Sequence, residues 1–207
     1  MPGPPLLDFI RLVIAAEVDE IAPRLAASPA LATEAMDAGA TRQQASTFFL
    51  AEIAHYVYAG DTALHLAAAA FRRPVAELLV AHGADCGARN RRGARPLHYA
   101  ADTNRWEPDA QVAIIEYLLS IGADPNAVDN SGVAPLHRAV RTRSLPAVRA
   151  LLDGGADLNQ LTNEGASAMR LAVHNTGRSG SGSAHAAEQQ AGIISLLLER
   201  GATPVRT

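Results

Sequence analysis

One eight-residue pattern recurs along this chain and constrains its fold more than any other feature. It reads GDTALHLA at 60–67, GARPLHYA at 93–100, GVAPLHRA at 132–139 and, in weaker form, GASAMRLA at 165–172. A second string, Gly-Ala-Asp or Gly-Ala-Thr, follows each copy, beginning at Gly83, Gly122, Gly155 and Gly201. Self-similarity at a period of about 20 to 50 residues predicts a stack of repeats, each packed on its neighbours.

The spacing of these glycines defines the repeat unit. The leading glycines are 33, 39 and 33 residues apart, so the unit is 33 residues long and some copies carry insertions. From leading to trailing glycine the distance is 23 residues in the first and third copies, 29 in the second and 36 in the fourth. The second copy therefore has 6 extra residues and the fourth has 13, which include a Gly/Ser-rich run.

These motifs resemble those of the ankyrin repeat family, in an array of bacterial type with about four recognisable repeats, over residues 57 to 204. The resemblance implies an all-α fold: an ankyrin repeat solenoid of stacked helix-turn-helix units with short β-hairpin-like fingers. It also implies that His65, His98 and His137 hydrogen-bond turn groups between adjacent repeats. Departures from the family's Thr-Pro-Leu-His pattern include Ala63, Arg95, Ala134, Ala168 and Arg170.

We expect a single domain over residues 1–207. Its parts are a divergent capping helix pair at 6–30, an inserted loop and helix at 31–59, repeats at 60–92, 93–131 and 132–164, and a C-terminal repeat at 165–207. Within the inserted stretch, apolar spacing predicts a short amphipathic helix at 43–55, followed by a strand-like segment at 56–58. This stretch is too apolar for disorder, and Phe48 and Phe49 are expected to cover the side of the first repeats.

Composition excludes several classes of protein. The net charge is -3, which argues against a nucleic-acid binder, although Arg89-Asn90-Arg91-Arg92 is a basic finger. The single cysteine, Cys86, allows no internal disulfide, so we expect a reduced, cytoplasmic setting. No apolar run approaches the ~20 residues of a membrane span. No metal-binding or catalytic motif is present, so we expect a monomer that needs no cofactor or metal and is not an enzyme.

The resemblance implies that partners contact the finger tips and the exposed residues late in each inner helix. Carried onto this chain, these positions, together with the lone tryptophan of the second insertion, are Tyr58, Asp61, Arg91, Arg92, Tyr99, Asp102, Trp106, Arg138, Arg141 and His174. The leading hypothesis is a non-enzymatic module that binds another protein through this concave face, with an acidic segment meeting the arginines. An alternative interpretation is that the arginines are solvated surface and the tyrosines pack on the 31–59 loop.

A second hypothesis places a small-ligand or catalytic pocket between the 31–59 loop and the first two repeats. Its candidate residues are His55, Tyr56, Tyr58, Tyr99 and Asp102. Histidine, tyrosine and aspartate perform acid-base chemistry when they converge. The hypothesis therefore depends on whether the fold brings these side chains together.

Overall fold

The computed structural model describes residues 5–102, 107–174 and 183–204. These ranges contain ten α-helices: α1 (Pro5–Ala15), α2 (Val18–Ala27), α3 (Ala63–Ala69), α4 (Arg73–Ala81), α5 (Pro96–Ala100), α6 (Pro108–Ser120), α7 (Pro135–Arg141), α8 (Leu145–Asp153), α9 (Ala168–Val173) and α10 (Ala184–Glu199). The odd-numbered helices pack in one row, and the even-numbered helices pack in a second row behind it. The structure is therefore a two-layer solenoid of helix pairs, as the repeat pattern predicted.

The recurring Gly-Ala string ends each outer helix in the same way. Gly83 follows α4 with a φ of +92°, a left-handed conformation that glycine adopts without steric cost. Its neighbour Ala84 donates its backbone N–H to the carbonyl of Leu79, 3.0 Å away. Together these form a Schellman C-cap, which satisfies carbonyls at the helix end. The same C-cap ends α6, α8 and α10, at Gly122, Gly155 and Gly201. Each of these glycines has a positive φ, and the alanine after it donates its N–H to the carbonyl five residues earlier.

Two of the three motif histidines link neighbouring repeats, as predicted. In His98, Nδ1 accepts the backbone N–H of Arg95 at 3.2 Å, and Nε2 lies 3.0 Å from the carbonyl oxygen of Val133 in the next repeat. His65 makes the equivalent pair of contacts, with Ala94 as its partner in the next repeat. His137 closes the start of its own helix in the same way, but its Nε2 contacts the carbonyl of Gln160, which lies within its own repeat.

The last repeat, which lacks the histidine, is capped differently. Arg170 occupies the histidine position there, and its side chain does not replace the missing cap. Instead the hydroxyl of Ser167 accepts the backbone N–H of Arg170 at 3.2 Å. Serine is a favoured N-cap residue, so α9 begins correctly without the motif histidine.

The amphipathic helix that we predicted at 43–55 is wrong. The chain there forms two 3₁₀ turns, Ser46–Phe48 and Ala51–Ile53, around a two-residue strand β1 (Phe49–Leu50) that pairs with β2 (His55–Tyr56). Phe48, Leu50 and Ile53 are all buried. Residues two apart on a helix point about 200° away from each other, so one helix would not bury both Phe48 and Leu50. Extended backbone between them places both on the same side.

Candidate binding groove

A groove of about 820 Å³ runs along the concave side of the stack. Its walls are the fingers at 90–94, 129–133 and 162–166 and the groove-facing residues of the inner-helix row from α5 to α9. The remaining wall is residues 54–58 of the inserted loop, here called the closing segment. The groove therefore spans the second to fourth repeats, and the inserted loop forms its N-terminal end.

Backbone pairing holds the closing segment in place. Met36 donates its N–H to the carbonyl of Asp61 at 2.8 Å, and Ala40 donates to the carbonyl of Val57 at 2.7 Å. Gly39 lies close against the backbone of Tyr58. A Cβ added to Gly39 would lie only 2.5 Å from the Cα of Tyr58, so glycine alone fits there. Residues 35–40 thus pair alongside the first finger. Because of this pairing, the loop behaves as part of the scaffold.

Three polar side chains form a buried network beneath the closing segment. The Asp61 carboxylate is fully buried and accepts hydrogen bonds from the Tyr99 hydroxyl at 2.8 Å, the Asn90 amide at 2.8 Å and the backbone N–H of Tyr58 at 2.7 Å. The His55 ring packs edge-on against Tyr99, with ring centroids 4.6 Å apart. Burial and the neighbouring Asp61 carboxylate raise the pKa of Tyr99 well above its usual value.

Arg138 forms the corresponding network one repeat later. Its guanidinium lies 2.7 Å from the carboxylate of Asp102 and 3.1 Å from that of Asp129. Asp129 also accepts the backbone N–H groups of Ser131 and Val133. Burial opposes ionisation of Asp129, but these hydrogen bonds and Arg138 outweigh it and lower its pKa.

Tyr99 and Arg138 therefore join repeats together, which corrects part of the predicted binding face. Both follow a motif histidine, and each reaches the polar residue nine positions before it, Asn90 or Asp129. Tyr99 is 2% exposed and Asp61 is 0% exposed, so neither offers surface to a protein partner. Our alternative interpretation, in which Tyr99 packs on the inserted loop, is the one that the structure shows. The side chain of Tyr99 is buried in the stack because the closing segment covers it.

Two exposed arginines, Arg91 and Arg92, lie at the closing segment. The guanidinium carbons of Arg91 and Arg92 lie 5.6 Å and 4.9 Å from the centroid of the Tyr58 ring. Arg91 also donates to the carbonyl of Ala40 and lies outside the groove. Arg92 lines the groove and forms no ion pair with any described residue. Stacking on a tyrosine fixes the guanidinium while leaving its edge donors available.

The other predicted partner residues are spread out. Arg141 lines the groove beside Thr142 and, within the described ranges, forms no ion pair. His174 lies past the end of α9, where its ring bonds the carbonyl of Arg170, and it is not among the groove residues described. Trp106, with the rest of its insertion at 103–106, lies outside the described residues, as does the Gly/Ser-rich insertion at 175–182.

All five residues of the alternative pocket line the same groove: His55, Tyr56, Tyr58, Tyr99 and Asp102. Two of the five use their polar groups within the protein. Tyr99 donates to Asp61, and Asp102 is paired with Arg138. Burial lowers the pKa of His55, which keeps its imidazole neutral. The fold thus brings the predicted set together, mainly as one wall held by internal hydrogen bonds and ring packing.

Sequence reasoning missed the residues that build the finger turns. Asn90 and Asp129 each stand three positions before a finger glycine, Gly93 or Gly132, and each side chain accepts two backbone N–H groups of its own turn. This Asx-x-x-Gly spacing is visible in the sequence, since Asn and Asp side chains commonly bond the backbone two residues on. It would have identified both residues as structural acceptors.

A stack of helix pairs with projecting hairpin fingers is a helical repeat solenoid. The family model for ankyrin repeats, three copies long, matches residues 35–129 and 108–207, well over half of the chain. The protein therefore belongs to the ankyrin repeat family. Ankyrin repeats generally act as protein-protein interaction modules, and the family is typically non-enzymatic. The sequence matches none of the curated proteins with which it was compared.

The described part of the chain contains neither a clustered metal site nor a membrane-spanning helix. Within 5–102, 107–174 and 183–204, no group of three or more His, Cys, Asp or Glu side chains is arranged to hold a metal ion. Over the same residues, no helix combines the length and the apolar composition that crossing a membrane requires.

Proposed function

We propose that the protein binds an acidic segment of another protein in its concave groove. The observation that carries the proposal is the pair Arg92 and Arg141, which line the groove and form no ion pair with a described residue. The third groove arginine, Arg138, is already neutralised by two carboxylates. A free guanidinium beside an open groove gains most from a carboxylate that arrives with a partner, because it binds both oxygens at once.

The rest of the groove supports an extended segment. Exposed Ser131 and Asn163 stand at successive finger tips, and Thr142 faces them from the inner-helix side. Asn163 and Thr142 already donate to the carbonyls of Asn130 and Arg138, so they are expected to meet a peptide backbone as acceptors, alongside the Ser131 hydroxyl. Glu164 is the only groove carboxylate in the described residues outside the Arg138 network, and it repels acidic residues at the far end. Acidic selection is therefore expected near Arg92 and Arg141.

The proposal predicts that charge reversal in the groove abolishes selection of acidic peptides. Wild-type protein and the Arg92→Glu/Arg141→Glu double variant are each panned against a random dodecapeptide library, and affinities of the enriched peptides are measured by calorimetry. We expect acidic peptides to be enriched by the wild type and to bind the double variant at least about tenfold more weakly, a loss of about 1.4 kcal/mol.

The matched control for this experiment is the Arg24→Glu/Arg149→Glu double variant. Arg24 and Arg149 are exposed on the outer helices α2 and α8, so this variant changes the net charge by the same amount without touching the groove. Its peptide affinities should stay within about twofold of the wild type, since a distant exposed charge is screened by salt. Enrichment of no peptide, or equal losses in the groove and control variants, would refute acidic-peptide binding in the groove.

A second candidate function is binding of a small polar ligand at the closing segment. The favouring observation is that His55, Tyr56, Tyr58, Tyr99 and Asp102 line one groove. Free amino acids serve as probes in a thermal-unfolding measurement. A rise in unfolding temperature that Tyr56→Ala removes, in a protein that enriches no peptide, would favour this function over the first.

We also propose that the protein is cytoplasmic and monomeric. The single cysteine supports a reduced, cytoplasmic protein, because it allows no disulfide within the chain. The outward face of α2 supports a monomer: Asp19, Glu20 and Arg24 are exposed there, while Ile21 and Leu25 are buried against the stack. A charged outer face on a terminal repeat is the usual device that keeps a solenoid from stacking end to end.

A further inference from the structure

The groove ends at the closing segment and does not continue over the first repeat. All seven residues of α3 are buried, and none of them lines the groove. The His55 ring lies on Tyr99 at the boundary, and Val57 beside it is fully buried. The inserted loop thus occupies the concave surface of the first repeat. A segment bound along the fingers meets this wall and has to turn away from the stack or end there.

The wall carries a fixed cation. Arg92 lies over the ring of Tyr58, which Arg91 also contacts, and Arg91 is held by the carbonyl of Ala40. Arg92 is exposed, and no described carboxylate pairs with it. Asp61, the buried acid beneath the wall, is occupied by Tyr99 and Asn90. The positive charge at the closed end is therefore available to an anion from outside.

An aromatic pair stands at the same end of the groove, where Tyr56 comes two residues before Tyr58. Phe49 and Tyr56 are cross-strand partners in the β1–β2 hairpin, with ring centroids 4.8 Å apart, and each is 40% exposed. Tyr56 lines the groove. Paired exposed aromatic rings beside an arginine offer apolar contact area and a charge at one point, which is the composition of an interface anchor.

We infer that the groove takes the C-terminal segment of a partner protein, with its terminal carboxylate on Arg92 and its last side chain against Tyr56, whose ring packs on Phe49. A chain end fits the closed end of the groove, because it needs no exit past the wall. It also fits the exposed cation, because it supplies a carboxylate from the backbone itself. The preceding residues run along the fingers, where Arg141 receives an acidic side chain. This inference rests on the proposed function and specifies which part of the partner enters the groove.

The test compares two synthetic decapeptide libraries of identical random composition, one with free C-terminal carboxylates and one with C-terminal amides. Affinity selection on the full chain, followed by mass spectrometry, identifies the bound peptides, and their affinities are measured by calorimetry. We expect enrichment from the free-carboxylate library, with at least about a tenfold loss of affinity when a selected peptide is amidated. Arg92→Gln should remove that difference, whereas Arg149→Gln should preserve it.

The outcomes separate this inference from the proposed function. Equal enrichment from both libraries would overturn recognition of a chain end and leave peptide binding in place. Enrichment from neither library would overturn both. A carboxylate preference that persists in Arg92→Gln would also overturn the inference, because a residue other than Arg92 would then bind the terminal carboxylate. Circular dichroism of each variant checks that the exposed substitutions leave the helical stack folded.

Discussion

Lowering the pH from 7 to 5 is expected to reduce the free energy of unfolding by about 2 kcal/mol through His98 alone. Burial, with Arg138 nearby, lowers the pKa of His98 from 6.5 to about 3. Between pH 6.5 and about 3, His98 is therefore protonated in the unfolded chain and neutral in the folded protein, so stability falls as the pH falls. Burial also lowers the pKa of His65 and His137, and both add to the effect.

The structural reason is that each motif imidazole already uses both ring nitrogens. In His98, protonation would place an N–H at Nδ1 facing the backbone N–H of Arg95. Urea unfolding at pH 7, 6 and 5 measures the effect. His98→Gln should be less stable at pH 7 and lose about 2 kcal/mol less than the wild type between pH 7 and 5. His174→Gln, an exposed control outside the motif, should keep the wild-type slope. A pH-independent stability would contradict the role assigned to the motif histidines.

Asp61→Ala is expected to lower the free energy of unfolding by about 3 to 5 kcal/mol. The substitution leaves the Tyr99 hydroxyl and the backbone N–H of Tyr58 without their acceptor, and it removes one of the two acceptors of the Asn90 amide. An unsatisfied buried donor costs about 1 to 3 kcal/mol, and the vacated volume adds to the loss. Because these donors come from the closing segment and the first two repeats, the loop is expected to loosen as well.

Two variants calibrate this result in urea unfolding at pH 7. Asp157→Ala removes a carboxylate that accepts the N–H of Asn159 in an exposed turn, and it should cost less than about 1 kcal/mol because water replaces the bond. Tyr99→Phe deletes only the hydroxyl and should cost about 1 to 2 kcal/mol. If Asp61→Ala were no more harmful than Asp157→Ala, the buried network would not hold the loop on the stack.

Much of the fold could be predicted because its determinants are local and repeated. The Gly-Ala strings specify C-caps, and the Leu-His pairs specify inner-helix starts, whichever repeat they occupy. The inserted stretch has no second copy to compare with. Its hairpin depends on pairing with residues 35–40 and on burying Phe48 and Leu50 together, and neither condition is visible from helical spacing.

The candidate site was only half predictable for a related reason. Residue types at the finger and inner-helix positions located the groove, and the five pocket residues do converge. Exposure of Tyr99 and Arg138 was inferred from repeat position, but it depends on what lies across from each side chain. His55 covers Tyr99, and Asp102 pairs with Arg138. Such contacts between units separated by an insertion follow from the three-dimensional stack.

Chemical-shift mapping with a selected peptide tests the central claim most directly. The ¹⁵N–¹H spectrum of the full chain is recorded during titration with the tightest binder from the free-carboxylate library. We expect the perturbed amides to cluster at the closing segment, at Arg92 and at the finger tips around Ser131 and Asn163. Perturbations confined to the outer helices α4, α6 and α8 would contradict binding in the concave groove.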